Sequence, residues 1–133
     1  PIKLELRCEA NLVLDSYPGT LGQIITTFAQ NALLHAYDNE STAGTLSIEA
    51  HAIEDTQVEL RFSDDGKGIA GEALPRVFEP FFTTRRGDGC VGLGLHIVFN
   101  QVNARLGGHV EVASTLGEGT SFTLRFPRSA PKP

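Results

Sequence analysis

Three polar segments of this 133-residue chain combine residue types and spacings that suit a charged ligand. The first is Asn31, with His35 one helical turn later, in an otherwise amphipathic segment. The amide oxygen of an asparagine suits Mg²⁺, which takes few protein oxygens and keeps waters and substrate phosphates. A solvated helix face is the alternative interpretation of these two residues.

The second segment contains Asp64, Gly66, Gly68 and Ile69 at the end of a predicted strand. Glycines let a backbone approach a flat ligand closely. A carboxylate accepts a hydrogen bond from the exocyclic amine of adenine, whereas it would face an acceptor oxygen in guanine. A tight turn requires similar residues, so a turn and a base-binding site are both open interpretations.

The third segment, with Gly92, Leu93, Gly94 and Leu95, leads directly into a predicted helix. Amides at a helix N-terminus, together with the helix dipole, form an anion site that needs few basic side chains. Residues 87–92 also match G-x-G-x-x-G, the fingerprint of a dinucleotide-binding fold. The preceding residues supply no buried parallel strand, which argues against that alternative.

The hydrophobic pattern predicts the elements that position these segments. Apolar residues at three- and four-residue steps predict helices over residues 21–39 and 93–106. The glycine-rich stretch from about residue 70 to 92 predicts a long functional loop in the form of a lid. Alternation or short apolar runs predict strands over residues 2–8, 12–15, 45–53, 57–63, 109–114 and 120–126.

The composition excludes several classes of protein. The 11 Lys and Arg against 16 Asp and Glu give a net charge of −5, which argues against nucleic-acid binding and direct membrane contact. No apolar stretch approaches the roughly 20 residues of a membrane span. Cys8 and Cys90 lack metal-ligand spacing and fit a reducing compartment, the cytoplasm. We expect one domain over residues 1–127 and a tail over 128–133.

Five motifs in order resemble those of the catalytic, ATP-binding domain of bacterial sensor histidine kinases. They are QNALLHAYDN for the N box, SDDGKGI for the first glycine box, RVFEPFFTTR for the F box, GCVGLGLHIV for the second glycine box and GEGTSFTLRFP for the closing strand. The resemblance covers approximately residues 12–127. The wider group of such folds, called GHKL, includes type II topoisomerases, MutL proteins and heat-shock chaperone ATPases.

The resemblance implies an α+β fold of the Bergerat ATP-binding type. This fold is a two-layer α/β sandwich, a mixed and mostly antiparallel sheet of about five strands with three helices on one face. The resemblance also implies ATP and Mg²⁺ as cofactors and transfer of the γ-phosphoryl group to a histidine. That histidine would belong to a separate dimerisation and phosphoacceptor domain, through which a response regulator is served.

Carried over position by position, the resemblance gives residues their roles. Asn31 would coordinate Mg²⁺ and the phosphates, His35 would lie near the phosphates, and Asp64 would accept from the adenine amine. The positions expected to shape or line the base pocket are Gly66, Gly68, Ile69 and Thr120. The positions expected to hold the triphosphate are Gly92, Leu93, Gly94 and Leu95, with Arg85 or Arg86 of the lid reaching the γ-phosphate.

Several positions differ from the usual pattern of the family. Thr27 stands where many such kinases have a second asparagine and where the ATP-hydrolysing relatives have a glutamate that activates water. Leu34 replaces a frequent lysine, while Cys90 and Val91 replace a glycine and a small hydroxyl residue. None of the four histidines stands in a phosphoacceptor motif, so the acceptor domain is expected to precede residue 1.

Two alternatives stay open at the level of sequence. One is a stand-alone GHKL-type ATPase, which Thr27 disfavours, and the other is an interaction module that kept the fold and lost nucleotide. The apolar pairs Val77 with Phe78 and Phe81 with Phe82 likewise have two interpretations, packing in the core or docking on the helical domain when the site closes.

Overall fold

The computed structural model describes residues 2–9, 12, 14, 16–33, 44–54, 56–69, 71–79 and 94–130. A 3₁₀ turn, Leu74–Arg76, lies between the third strand and the second helix, and a π-helical turn, Gln101–Leu106, continues that helix. In chain order the elements are β1 (Ile2–Cys8), α1 (Pro18–Asn31), β2 (Gly44–Ile53), β3 (Gln57–Asp64), α2 (Gly94–Asn100), β4 (His109–Thr115) and β5 (Gly119–Pro127).

The five strands form one sheet in the order β1-β2-β3-β5-β4. β1 runs parallel to β2, and every other neighbouring pair is antiparallel. This arrangement confirms the mixed, mostly antiparallel sheet expected from the sequence. Because β4 pairs antiparallel with β5, α2 and β4 do not belong to the parallel β-α-β unit that a dinucleotide-binding fingerprint requires.

The two helices pack on one face of this sheet, where alternate side chains of the strands form the core. Phe28 of α1 lies against Phe62 of β3 and Phe122 of β5, with ring centroids 5.5 and 4.7 Å apart. Ile24, Phe28 and Ala32 follow one another at single-turn spacing, which explains why this face of α1 is buried. The remaining buried core residues are Leu46, Val58, Leu60, Val98, Val102, Leu106, Val110, Leu124 and Phe126.

The opposite face of the sheet carries polar side chains. The Arg125 Nε group donates to Glu59 Oε2 over 3.1 Å across β5 and β3. Next to the end of the same strand pair, the hydroxyls of Ser63 and Ser121 lie 3.1 Å apart. The strands are therefore amphipathic, with an apolar side toward the helices and a polar side away from them.

Glycines end the helical segment and close the last hairpin, as the sequence predicts. Gly107 follows the π-helical turn with a φ of 75°, in the left-handed region that a glycine adopts without strain. Gly117 and Gly119 have φ values of 83° and 123° in the turn between β4 and β5. The hairpin of β2 and β3 is also confirmed, with Ile53 paired to Gln57 at its closed end.

Three expectations about the elements need correction. The described residues contain two α-helices rather than three, and Leu74–Arg76 between β3 and α2 forms a 3₁₀ turn of three residues. Leu12 and Leu14, the two described residues of the strand expected at 12–15, lie outside any strand and pack against the core. The described part of the first helix begins at Pro18 rather than residue 21, since proline suits a first helical turn.

Candidate functional site

A row of paired residues crosses the sheet at one end of the core. Ser114 of β4 is the register partner of Thr120 of β5, Thr120 is the partner of Asp64 of β3, and Asp64 is the partner of Leu46 of β2. Asp64 and Thr120 are each two residues from a core phenylalanine, so alternation places them on the helix-covered face. The apolar core thus ends in a polar row formed by three neighbouring strands.

Asp64 is held by backbone amides at the end of β3. Its Oδ1 atom accepts a hydrogen bond from the Gly66 amide over 2.9 Å, and the Thr120 amide also donates to the carboxyl group. Burial raises the pKa of Asp64 above its ordinary value, the two amide hydrogen bonds oppose that rise, and the nearby charge of Asp65 adds to it. The site therefore carries a half-buried acidic group whose negative charge is partly desolvated.

The loop after Asp64 packs tightly against the β4–β5 hairpin. The Gly117 amide donates to the Lys67 carbonyl over 2.8 Å. Gly68 has a φ of 77°, and a Cβ there would collide with the carbonyl oxygen of Thr115. Gly119 has a φ of 123°, and a Cβ there would collide with the carbonyl oxygen of Asp64. Glycine is required at both positions because the two backbone segments lie in direct contact.

Ser114 joins the same loop to the hairpin, and sequence reasoning missed it. Its hydroxyl lies 2.7 Å from the Ile69 amide nitrogen, 2.8 Å from the Gly119 carbonyl oxygen and 2.9 Å from Thr120 Oγ1. Folding the predicted strands at 109–114 and 120–126 about their glycine turn would have paired Ser114 with Thr120. That register is the signal in the sequence that could have identified it.

Asn31 lies half-buried at the last residue of α1. Thr27, one turn earlier on the same helix face, lies beside the start of α2, because a Cβ added at Gly94 would be 3.2 Å from its methyl group. Phe28 of the same helix contacts Phe62 and Phe122, near Asp64 and Thr120. α1 thus connects the beginning of α2 with the polar end of the sheet.

The beginning of α2 is fixed to the segment after the 3₁₀ turn. His96 Nδ1 lies 3.1 Å from the Phe78 carbonyl oxygen, and the Phe78 ring packs against Phe99 and Phe122 with centroids 5.5 and 6.0 Å apart. Val77 is buried, with 6% of its surface exposed. Of the two interpretations of these apolar residues, packing in the core is correct for Val77 and Phe78.

The described residues include only part of the predicted site. Asp64, Gly66, Gly68, Ile69 and Thr120 come together at the end of the sheet, where Gly66 and Thr120 are buried. Asn31, Gly94 and Leu95 lie on the helices that cover it. The predicted residues that fall outside the described residues are His35, Arg85, Arg86, Gly92 and Leu93, together with Leu34, Phe81, Phe82, Cys90 and Val91.

Within residues 2–9, 16–33, 44–54, 56–69, 71–79 and 94–130, no group of three or more His, Cys, Asp or Glu side chains is arranged to hold a metal ion. In the same part of the chain, none of the helices combines the length and apolar character needed to cross a membrane.

Residues 17–130 match the family of histidine kinase-, DNA gyrase B- and HSP90-like ATPases, and the chain belongs to this family. Within the family, its relatives are sensor histidine kinases. The chain is 37% identical over 128 residues to the sensor histidine kinase ZraS of Salmonella typhimurium, covering 94% of the chain and 26% of that protein. It is 44% identical over 130 residues to the sensor histidine kinase GraS of Staphylococcus haemolyticus, covering 96% of the chain and 36% of GraS. The chain therefore spans well under half the length of these relatives.

Solved structures confirm the fold. Full-length ShkA, crystallised in complex with AMPPNP, superimposes with a TM-score of 0.78 and 30% identity, covering 99% of this chain and 27% of ShkA. The catalytic domain of the histidine kinase ThkA gives a TM-score of 0.80 at 23% identity, covering 96% of this chain and 81% of that domain. The predicted resemblance to histidine kinase catalytic domains is thus confirmed.

Proposed function

We propose that this chain is the ATP-binding, phosphoryl-donating part of a sensor histidine kinase. In this proposal it binds Mg-ATP and gives the γ-phosphoryl group to a histidine of a separate dimerisation and phosphoacceptor domain. The observation that carries the proposal is the pairing of Asp64 with Thr120 at the polar end of the core. The family and the relatives named as sensor histidine kinases support it.

Recognition of adenine is assigned to the polar row. Asp64 is placed to accept from the exocyclic amine, because an ionised carboxylate offers only acceptors. Thr120, 7% exposed, is the register partner of Asp64 and is assigned to the base and its bound water. Gly66, Gly68 and Ile69 shape the pocket, and the contact of the Gly68 backbone with Thr115 holds their loop in place. When the base enters the pocket, its amine would replace the hydrogen bonds that these side chains make to water in the empty pocket.

The triphosphate and Mg²⁺ are assigned to the helices. Mg²⁺ is commonly held by one or two protein oxygens together with substrate phosphates, so the single amide oxygen of Asn31 fits an ion that arrives with the nucleotide. The amides of Gly92, Leu93, Gly94 and Leu95, His35 and Arg85 or Arg86 are assigned to the phosphates. The bound ion would neutralise charge that develops on the transferred group.

The proposed reaction is phosphoryl transfer to nitrogen. The bond between the γ-phosphorus and its bridging oxygen breaks, a bond forms to an imidazole nitrogen, and ADP leaves with the bridging oxygen. Positioning and charge neutralisation provide most of the acceleration in such reactions. None of the four histidines of the chain, His35, His51, His96 and His109, stands in a phosphoacceptor motif. We therefore assign the acceptor to another domain, which in turn serves a response regulator in the cytoplasm.

Hydrolysis of ATP by the isolated chain is the weaker candidate. The Thr27 hydroxyl donates to the Gln23 carbonyl over 2.9 Å, while its methyl group faces Gly94. A hydroxyl in this arrangement has no capacity to take a proton from water near neutral pH. A nucleotide-free interaction module is the other alternative, and a binding measurement separates it from the kinase.

The test of the proposed function begins with binding. At a Mg-ATP concentration 100 times the Kd, we expect stabilisation by about 2.7 kcal/mol in thermal unfolding. Incubation with labelled ATP and the phosphoacceptor domain should then give a label that is lost in acid and kept in base, as phosphohistidine requires. No stabilisation by saturating Mg-ATP would favour the interaction module, and phosphate release without transfer would favour the ATPase.

A further inference from the structure

The Ser114 hydroxyl has three polar neighbours, and these determine where its hydrogen points. A serine hydroxyl has one hydrogen to donate and two lone pairs that accept. The Ile69 amide at 2.7 Å can only donate, and the Gly119 carbonyl at 2.8 Å can only accept. The single hydrogen of Ser114 is therefore directed to Gly119, and one of its lone pairs is taken by Ile69.

The third neighbour must then be a donor. Thr120 Oγ1 lies 2.9 Å from Ser114 Oγ, a pair in which either oxygen has the geometry to donate. Because the hydrogen of Ser114 is used by Gly119, the hydrogen bond between the two hydroxyls requires Thr120 to donate. The hydrogen of Thr120 is thereby committed to Ser114, and the remaining capacity of its oxygen is acceptor only.

We propose that Ser114 is a positioning residue that makes the base pocket selective for 6-aminopurines over 6-oxopurines. It does so by keeping the Thr120 hydroxyl an acceptor toward the ligand, next to the acceptor-only carboxylate of Asp64, while holding the Ile69 amide in the pocket loop. An amine brings donors to this pair of acceptors. The 6-oxo group of hypoxanthine meets acceptors on both side chains, and Thr120 is unable to turn its hydrogen toward it. This proposal rests on the proposed nucleotide function.

The experiment compares ATP with ITP, whose hypoxanthine base has a 6-oxo group in place of the amine of adenine. For the wild-type chain we expect ITP to bind more weakly than ATP. In Ser114→Ala, Thr120 is released to donate to the 6-oxo group, and the ratio of the ITP Kd to the ATP Kd should fall about three- to tenfold. Ser114→Thr retains the hydroxyl and should restore the wild-type ratio.

A matched control lies on β5, the strand of Thr120, on the face of the sheet opposite to the base pocket. Ser121 follows Thr120 directly and pairs with the Ser63 hydroxyl over 3.1 Å, so Ser121→Ala removes the same atom from a similar pair. It should leave the ITP to ATP ratio unchanged. In a Thr120→Val background, Ser114→Ala should likewise leave the ratio unchanged, because no hydroxyl remains to be released.

The outcomes separate this proposal from the function on which it rests. A folded Ser114→Ala variant with the wild-type ratio, or with equal losses for ATP and ITP, would overturn the positioning role while leaving nucleotide binding intact. If the wild-type chain binds neither nucleotide, both proposals are overturned. Should Ser114→Ala fail to fold, hydrogen exchange of the Ile69 amide in the wild-type chain replaces this test. Protection of the amide would support its hydrogen bond to Ser114, and unprotected exchange would overturn the proposal.

Discussion

Replacing Asp64 by asparagine is expected to abolish strong ATP binding and to raise the stability of the nucleotide-free chain at neutral pH. The Gly66 and Thr120 amides, which donate to the carboxyl group, should keep donating to the single side-chain oxygen of the asparagine. Its NH₂ group would then face the adenine amine, donor against donor. Loss of a hydrogen bond to a charged group costs about 1.5–3 kcal/mol, which weakens binding roughly 10- to 150-fold.

The change in stability follows from the raised pKa of Asp64. Burial makes the ionised carboxyl less favourable in the folded state than in the unfolded state, so above the folded-state pKa the group destabilises the fold. Its stabilising contribution is fully present below the ordinary value of 3.8 and is lost as the pH rises through the folded-state pKa. The neutral asparagine avoids this loss, so its advantage over wild type should be largest near pH 7 and disappear in acid.

Two measurements and one control test this reasoning. Calorimetric titration with Mg-ATP measures the Kd, and denaturant unfolding between neutral and acidic pH measures the difference in free energy of unfolding. Asp65→Asn is the matched control for the ATP titration, since the Asp65 Oδ1 atom accepts from the Thr45 amide on β2 and has no assigned contact with the base. Unchanged ATP affinity in a folded Asp64→Asn variant would refute the adenine assignment. If Asp64→Asn is less stable than wild type at pH 7 and stays so in acid, the account of the Asp64 pKa would be refuted.

Two further substitutions test the metal site and the contact between loop and hairpin. Asn31→Ala should remove the strengthening of ATP binding by Mg²⁺, measured as the ratio of Kd values with and without the ion, while the exposed neighbour Gln30→Ala should keep it; an unchanged ratio in Asn31→Ala would place the ligand elsewhere. Gly119→Ala should lower both stability and ATP affinity, because its Cβ would displace the Asp64 backbone. Gly117 is the control, since it has a φ of 83° and open space around an added Cβ. Gly117→Ala should cost about 1 kcal/mol of stability and leave the ATP affinity unchanged. Equal ATP affinities in the two variants would contradict a collision between the Gly119→Ala side chain and the Asp64 backbone.

Sequence patterns predicted correctly those elements that depend on residues close together in the chain. The hairpin of β2 and β3 follows from period-two alternation over residues 45–53 and 57–63, and the end of the second helical segment follows from Gly107. The short apolar run at residues 12–15 also predicted a strand. Leu12 and Leu14, however, pack against the core and lie outside any strand. Hydrogen bonds to a neighbouring strand are not encoded in so short a pattern.

The part of the candidate site that lies within one continuous motif could be predicted from the sequence. Asp64 with its glycines could be identified because a carboxylate at a strand end and a flexible loop occur together in the chain. The family resemblance then added Thr120, which no local pattern identifies. Ser114 was missed because its importance depends on three partners that are distant in sequence or across a turn, among them an amide 45 residues away.

The sequence by itself determined the alternation of strands, the helical periodicity and the motifs that place this chain among the histidine kinase-like ATPases, since these depend on residue type and spacing. Only the tertiary structure decided which groups meet at the end of the sheet. The β4–β5 register brings Ser114 to Thr120, and backbone contact at Gly68 and Gly119 leaves no space for a side chain. The direction of a hydroxyl hydrogen depends on all of its neighbours at once, and folding brings those neighbours together from separate strands.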